Sequence, residues 1–331
     1  MSRQPLWEAW TIDRLNSELA INLGLAIDCS THESYSSALN SYLTFCHLHG
    51  FDIEPTQRTL AYYVTFQSSY INPKSIDSYL SGICNQLESH FPDIQNARKS
   101  PIVSRALKGA KRRFGRTTTC KLPLTVDNLN TIFNTLDANP SHNDVLFATQ
   151  LFTGFENLLH LGELCWPDKM ALCNYRKVTM QHTVEMFSNY ISLFLPTHKG
   201  DAFFEGNRLI IRCTSAKAFD LFTQYLTSRD RMFRAHPELW LWSDGTIPTH
   251  SWFMSRLHTF FPQSIGGQSM HAGGATALTE AGVAPALIQA TGRWSSDTFN
   301  CYIQKNVFLF EALLIGRPSS LPTSASNTSV S

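Results

Sequence analysis

The fold class this 331-residue sequence predicts is mainly α with one small antiparallel β-sheet, and three observations predict it. Apolar residues recur at helical spacing through most of the chain. Three short strand-like runs sit together near its middle. Glycine, proline and small polar residues stand where the helical stretches should begin and end. The length allows two ordinary domains, each with its own core.

The first helix expected has capping-box spacing at Ser30 and Glu33, a stripe of Tyr35, Ala38, Leu39, Tyr42, Leu43 and Cys46, and a stop at Gly50. Pro55 and Thr56 open a second, with Leu60, Tyr63 and Val64 on one face. Ser75 precedes a third, striped by Ile76, Tyr79, Leu80, Ile83, Cys84 and Leu87. Pro101 opens a fourth, which turns Val103, Ala106, Leu107 and Ala110 inward and its lysines and arginines outward. These stripes read as core. After the polar stretch that leads to Leu122 and Pro123, residues 127–136 and 144–152 look helical. Strands are expected at 178–184, 190–195 and 208–213, the last two joined by the long connection PTHKGDAFFEGN. Helices resume at Ala216 and run to about Leu314. The segmentation is an N-terminal extension 1–29, a helical domain 30–116, a linker 117–123, a second domain 124–315 and a Ser/Thr/Pro-rich tail 316–331, expected to be disordered.

Composition narrows the function classes. No apolar run approaches the ~18 residues of a membrane helix, and MSRQPLWEAW lacks a signal peptide's apolar core, so an intracellular, soluble protein is expected. The eight cysteines are scattered without a C-x-x-C pair, which suits reduced, buried thiols better than a disulfide framework or a zinc site. Net charge is only +1, low for a dedicated nucleic-acid binder. The distribution is less neutral. Arg98, Lys99, Arg105, Lys108, Lys111, Arg112, Arg113, Arg116 and Lys121 follow one another with no acidic residue between them. Such a run fits a solvated helix face as readily as a phosphate-contacting one.

Four motifs then fall in a specific order. TGFENLLHLGELCWPD comes first, the hairpin LPTHKGDAFFEGN second, QSMHAGGATALTEAGV third and ATGRWSSDTFNCYI last. Together, behind a helical N-terminal domain, they resemble the tyrosine recombinase or phage-integrase family over roughly residues 30–314, and most closely its fungal, mobile-element-derived (crypton-like) branch. The resemblance implies a helical core-binding bundle followed by an integrase-like catalytic domain, closing as a C-shaped clamp on duplex DNA. It also implies strand breakage through a 3′-phosphotyrosyl bond, no metal or small-molecule cofactor, a possible homo-oligomer (a tetrameric synapse when active) and, for a eukaryotic mobile-element protein, a nuclear site.

The resemblance places Tyr302 at the nucleophile, Lys199 at the hairpin's general acid and Trp294 at the His/Trp position, which Arg293 could fill instead. Taken alone, Tyr302 and Trp294 would read as core aromatics and Lys199 as a solvated turn residue. Three central positions are changed. His160 stands where the first clamp arginine is usual, Gln268 where the second box has histidine, and His271 where it has the second arginine. Glu163, which in this family supports the neighbouring loop, is kept; Gly273 and Gly274 read as close-packing positions. A neutral imidazole offers one donor where a guanidinium offers a fork. The expectation is therefore crippled strand exchange with better-preserved DNA binding. A bound phosphate that charged both histidines, or an Arg293 that swung in, would restore activity as pH falls below about 7.

Overall fold

The structure is a computed structural model that describes residues 8–115, 121–136, 139–198, 201, 204–212, 216–295 and 303. The expected tail, Arg116, Lys199 and Tyr302 lie outside these residues. The chain divides into two compact units, 1–118 and 119–331.

The first unit is helical. Helix α1 (Ile12–Leu25) lies inside the expected extension, capped by Thr11 and burying no side chain. Helix α2 (Cys29–His49) starts earlier than the Ser30/Glu33 spacing suggests. The Asp28 carboxylate accepts both the backbone N–H of Ser30 and its hydroxyl at 3.0 Å, which places Ser30 inside the first turn. Gly50 ends α2 in the left-handed region at φ 64°, where a side chain would be strained. Helix α3 (Gln57–Gln67) is capped by Thr56, as expected. Helix α4 (Pro73–Leu87) begins two residues before Ser75, because Asn72 caps it and Pro73 takes its first position. A short helix, α5 (Ile94–Lys99), separates from α6 (Pro101–Phe114) at Ser100, whose ψ of 150° is the extended value forced on a residue before proline. Tyr42, Tyr63, Ile76, Leu80, Ile83, Ile94 and Val103 are buried together as this unit's core.

The second unit is built around α8 (His142–Glu156), in which every residue from 145 to 155 is buried. Reciprocal capping starts both α7 (Val126–Thr135), through Thr125 and Asn128, and α8, through Ser141 and Asp144. A run of 3-10 turns leads to an antiparallel sheet, ordered β1 (Glu185–Met186), β2 (Tyr190–Leu195) and β3 (Asn207–Arg212). Ile191 faces Ile211 and Leu193 faces Leu209, so one face of the hairpin enters the core. The strand expected at 178–184 is not one. Its backbone meets the segment around Glu238 at an isolated bridge, with Leu239 N–H donating to Thr179 O at 2.9 Å, and a 3-10 turn at Gln181–Thr183 bends the chain away. The sheet begins only after that turn, at Glu185.

Helices α9 (Ala216–Met232), α10 (His250–Phe260), α11 (Gly267–Glu280) and α12 (Pro285–Thr291) complete the described part. The segment before α7 runs along the start of α11, with Leu122 N–H donating to Ser264 O at 2.9 Å and Leu124 N–H to Ser269 O at 3.0 Å. Cys46, Cys84 and Cys165 are buried free thiols, while Cys173 is half-buried and Cys29 exposed. Among the described residues no helix is long and apolar enough to cross a membrane.

Candidate functional site

Two close approaches assemble the site. A Cβ on Gly273 would lie 2.0 Å from Leu124 O, and one on Gly274 would lie 2.0 Å from Phe155 O. The glycine pair therefore lets α11 lie directly on the backbone of the preceding segment and on the end of α8, the close-packing role read from the sequence. After α8, Leu158 takes φ 51° and redirects the chain so that His160 meets α11.

At that junction His160 and His271 stack, ring centroids 4.3 Å apart and planes within 9°. Trp294 meets His271 edge-on at 4.6 Å and 73°. The structure thus brings together three of the positions singled out above. Gln268 lies exposed on the first turn of α11, one turn before His271. Ile303, next to Tyr302 in sequence, packs with Trp294 on the small cluster of Leu158, Ala275 and Ile288.

Behind the rings lies an ion pair. Arg293 Nη2 is 3.1 Å from Glu163 Oε2, and both side chains are 7% exposed. The same carboxylate oxygen accepts His160 N–H at 2.9 Å. The guanidinium also donates to the carbonyls of Asn157, Leu158 and Thr291, at 3.3, 3.1 and 3.0 Å. Arg293 holds φ 56°, an uncommon backbone state for a residue with a side chain, at the turn that follows α12. Sequence reasoning offered Arg293 as a DNA contact or as a substitute for Trp294. The geometry turns it inward, where it ties the end of α12 to Glu163 and the loop after α8, and leaves Trp294 on the histidines.

Burial governs the charges. His271 is 3% exposed, and burial pushes its pKa down to about 3, with the neighbouring His160 and Arg293 acting in the same direction. At neutral pH its ring is uncharged. Burial raises Glu163 against the opposing pull of Arg293, and lowers Arg293 against the opposing pull of Glu163. His198, one residue before Lys199 in the hairpin connection, is lowered by burial and then by the charge of Arg293. The end of β2 therefore comes within electrostatic reach of the pair, a neighbour that sequence reasoning missed. Its signal was adjacency to Lys199 and nothing more.

The basic run of the first unit is partly spent internally. Arg98 reaches Asp77 at 3.4 Å and Ser81 Oγ at 2.9 Å, and Lys111 lies 3.7 Å from the other Asp77 oxygen. Lys99, Arg105, Lys108, Arg112 and Arg113 are exposed. Arg105, Lys108 and Arg112 follow at i, i+3 and i+7 and so share one face of α6. Lys121 belongs to the second unit, where its ammonium donates to Gln263 O.

No family model and no curated protein matches the sequence. Solved structures do. The XerH site-specific recombinase bound to palindromic difH substrate, in a post-cleavage complex, superposes with a TM-score of 0.53 at 14% identity, covering 77% of this chain and 70% of that one. A lambda integrase tetramer bound to a Holliday junction gives 0.53 at 13% identity, over 87% of this chain and 76% of that one. The fold is the recombinase and integrase fold. In this chain the loop before Glu163 and the first turns of α11 form one junction, and two imidazoles and an indole occupy it.

Proposed function

We propose that this protein binds duplex DNA on the integrase fold and does not break it efficiently at neutral pH. One observation carries the reading: the stack of His160, His271 and Trp294, uncharged at His271, with the nearest guanidinium bound to Glu163 and three carbonyls. Phosphoryl transfer through a tyrosine gathers negative charge on the non-bridging oxygens. Fixed cationic donors lower that barrier, and loss of one preorganised donor costs on the order of 10²–10³ in rate. A stacked, neutral imidazole supplies no fixed charge. Binding asks for less, because it is spread over many phosphate contacts. The exposed face of Arg105, Lys108 and Arg112 supports it, as does a fold shared with proteins solved on DNA.

The test measures duplex affinity against salt and, in parallel, covalent capture on nicked duplexes built from DNA flanking the gene. Native protein should bind at low salt and lose affinity steeply as salt rises. Replacing Arg105, Lys108 and Arg112 by alanine should weaken binding on all sequences alike and reduce the log–log slope by about 2 to 3. Capture should give no adduct above the Tyr302→Phe blank. A variant carrying His160→Arg, Gln268→His and His271→Arg should yield one if the scaffold still presents Tyr302. An adduct from the native chain at pH 7 would refute the catalytic half of the reading, and absence of binding at low salt would refute the rest.

A further inference from the structure

Resting on the DNA-binding reading, we infer that the second unit carries its own sugar–phosphate contact surface, made by Tyr175, Arg176 and Lys177 together with Phe204 of the hairpin connection. Of its four residues only Phe204 lies in one of the four motifs, the hairpin LPTHKGDAFFEGN. The surface comes from the exposed side chains of Tyr175, Arg176 and Phe204, with half-buried Lys177 beside them.

Arg176 and Lys177 follow Tyr175 in a single 3-10 turn, Tyr175–Lys177, fixed at its start because the Asn174 side chain accepts Arg176 N–H at 3.0 Å. The Arg176 guanidinium lies over the Phe204 ring, 5.1 Å from its centroid. A guanidinium stacked on a ring keeps its in-plane N–H groups free to meet a phosphate edge. Phe204 is 37% exposed and sits at φ 58°, a costly backbone state for an aromatic residue. That turn is held by the Asp201 carboxylate, which accepts the N–H of Glu205 at 3.1 Å and of Gly206 at 2.8 Å. Tyr175 is 61% exposed, yet its ring is braced edge-on by Trp166 at 5.0 Å and 89°. Exposed aromatics held rigid beside two cations, and a guanidinium oriented by one of them, are the elements of a nucleic-acid contact.

Location gives the second argument. Phe204 lies five residues after Lys199, and the start of the same connection, His198, is within electrostatic reach of Arg293. The connection that carries Phe204 therefore starts near the ion pair that backs the stack. Asp168, the acidic residue nearest in sequence to the turn, is committed to Ser251, accepting its N–H at 3.0 Å and its hydroxyl at 2.6 Å.

The experiment is a salt titration of full-length protein on a mixed-sequence duplex, with circular dichroism to verify each variant's fold. Arg176→Gln combined with Lys177→Gln should lower the log–log slope by about 1 to 2, and Arg176→Gln alone by about 1. Phe204→Gly suits the left-handed backbone and removes only the ring. It should weaken binding about 2- to 5-fold with the slope unchanged, since the charge stays and only its orientation is lost. A native protein that binds while the double variant keeps the full slope overturns this inference and leaves the first-unit contacts standing. A native protein that binds no duplex at low salt overturns both.

Discussion

Alanine at Gly274 is expected to remove about 3 kcal/mol or more of the second unit's stability. The added methyl would lie 2.0 Å from Phe155 O and 2.6 Å from Leu158 Cδ2. The first of these is backbone at the end of a fully buried helix, so relief requires α11 to move as a whole. Overpacking usually costs less than this because a flexible side chain gives way; here Leu158 can shift, but the backbone of Phe155 cannot. The same movement would part His271 from His160, since both hang on this junction. Chemical denaturation of Gly274→Ala against native protein measures the cost. Gly162→Ala serves as the control, because its nearest new neighbour, His250 Nε2, would be 3.7 Å away. A Gly274→Ala protein that unfolds at the native midpoint would mean that α11 is not seated on α8 as described.

That glycine pair shows how much of the fold could be read in advance. Apolar residues repeating at helical spacing mark burial directly, so Ile76, Leu80, Ile83 and Leu87 identified α4 and its inner face. Short strand-like runs did the same for β2 and β3. Start points were harder, because several polar residues near a helix end compete to cap it. Asp28 prevailed over Ser30, and Asn72 over Ser75, for reasons of local backbone geometry. The segment 178–184 misled because a strand-like run reports local propensity and not pairing. Its partner is the isolated bridge of Met180 to Glu238, which no local pattern reveals.

The site was legible in membership and not in arrangement. Motif order placed His160, His271 and Trp294 near one another, and they do meet. What could not be read was Arg293. Its inward turn depends on positive φ at both Arg293 and Leu158, in residue types that give no sign of it. Nor could the charge state of the site be read from residue types, since an imidazole's pKa is set by its burial. In the resembling family's pattern, arginines stand at the clamp positions and stay charged whatever buries them. A histidine, such as His160 or His271 here, carries a charge that its surroundings control.

Those surroundings should appear as an acid limb in the protein's stability. An unfolded chain protonates His271 near pH 6.5. The folded chain resists until about pH 3. Between those values protons bind the unfolded state in preference, so the stability present above pH 6.5 is lost as pH falls toward 3, by about 1.4 kcal/mol per pH unit from this one group. From pH 7 to pH 4.5 the expected loss is roughly 2 to 3 kcal/mol. His271→Gln is neutral throughout and should flatten the curve by that amount. The difference between the two proteins isolates the residue, because His198 and His250, also lowered by burial, and Glu163, raised by it, titrate in both. Denaturation midpoints at several pH values measure it, and parallel curves for native and variant would mean that His271 is not held neutral. The same free energy bears on DNA. A duplex that drew a proton onto His271 would have to overcome this resistance, and its binding would then tighten as pH falls from 7 to 6. Affinity that the His271→Gln variant shares at both pH values would leave His271 uncharged in the complex as well, a ring that DNA rests against and not a clamp.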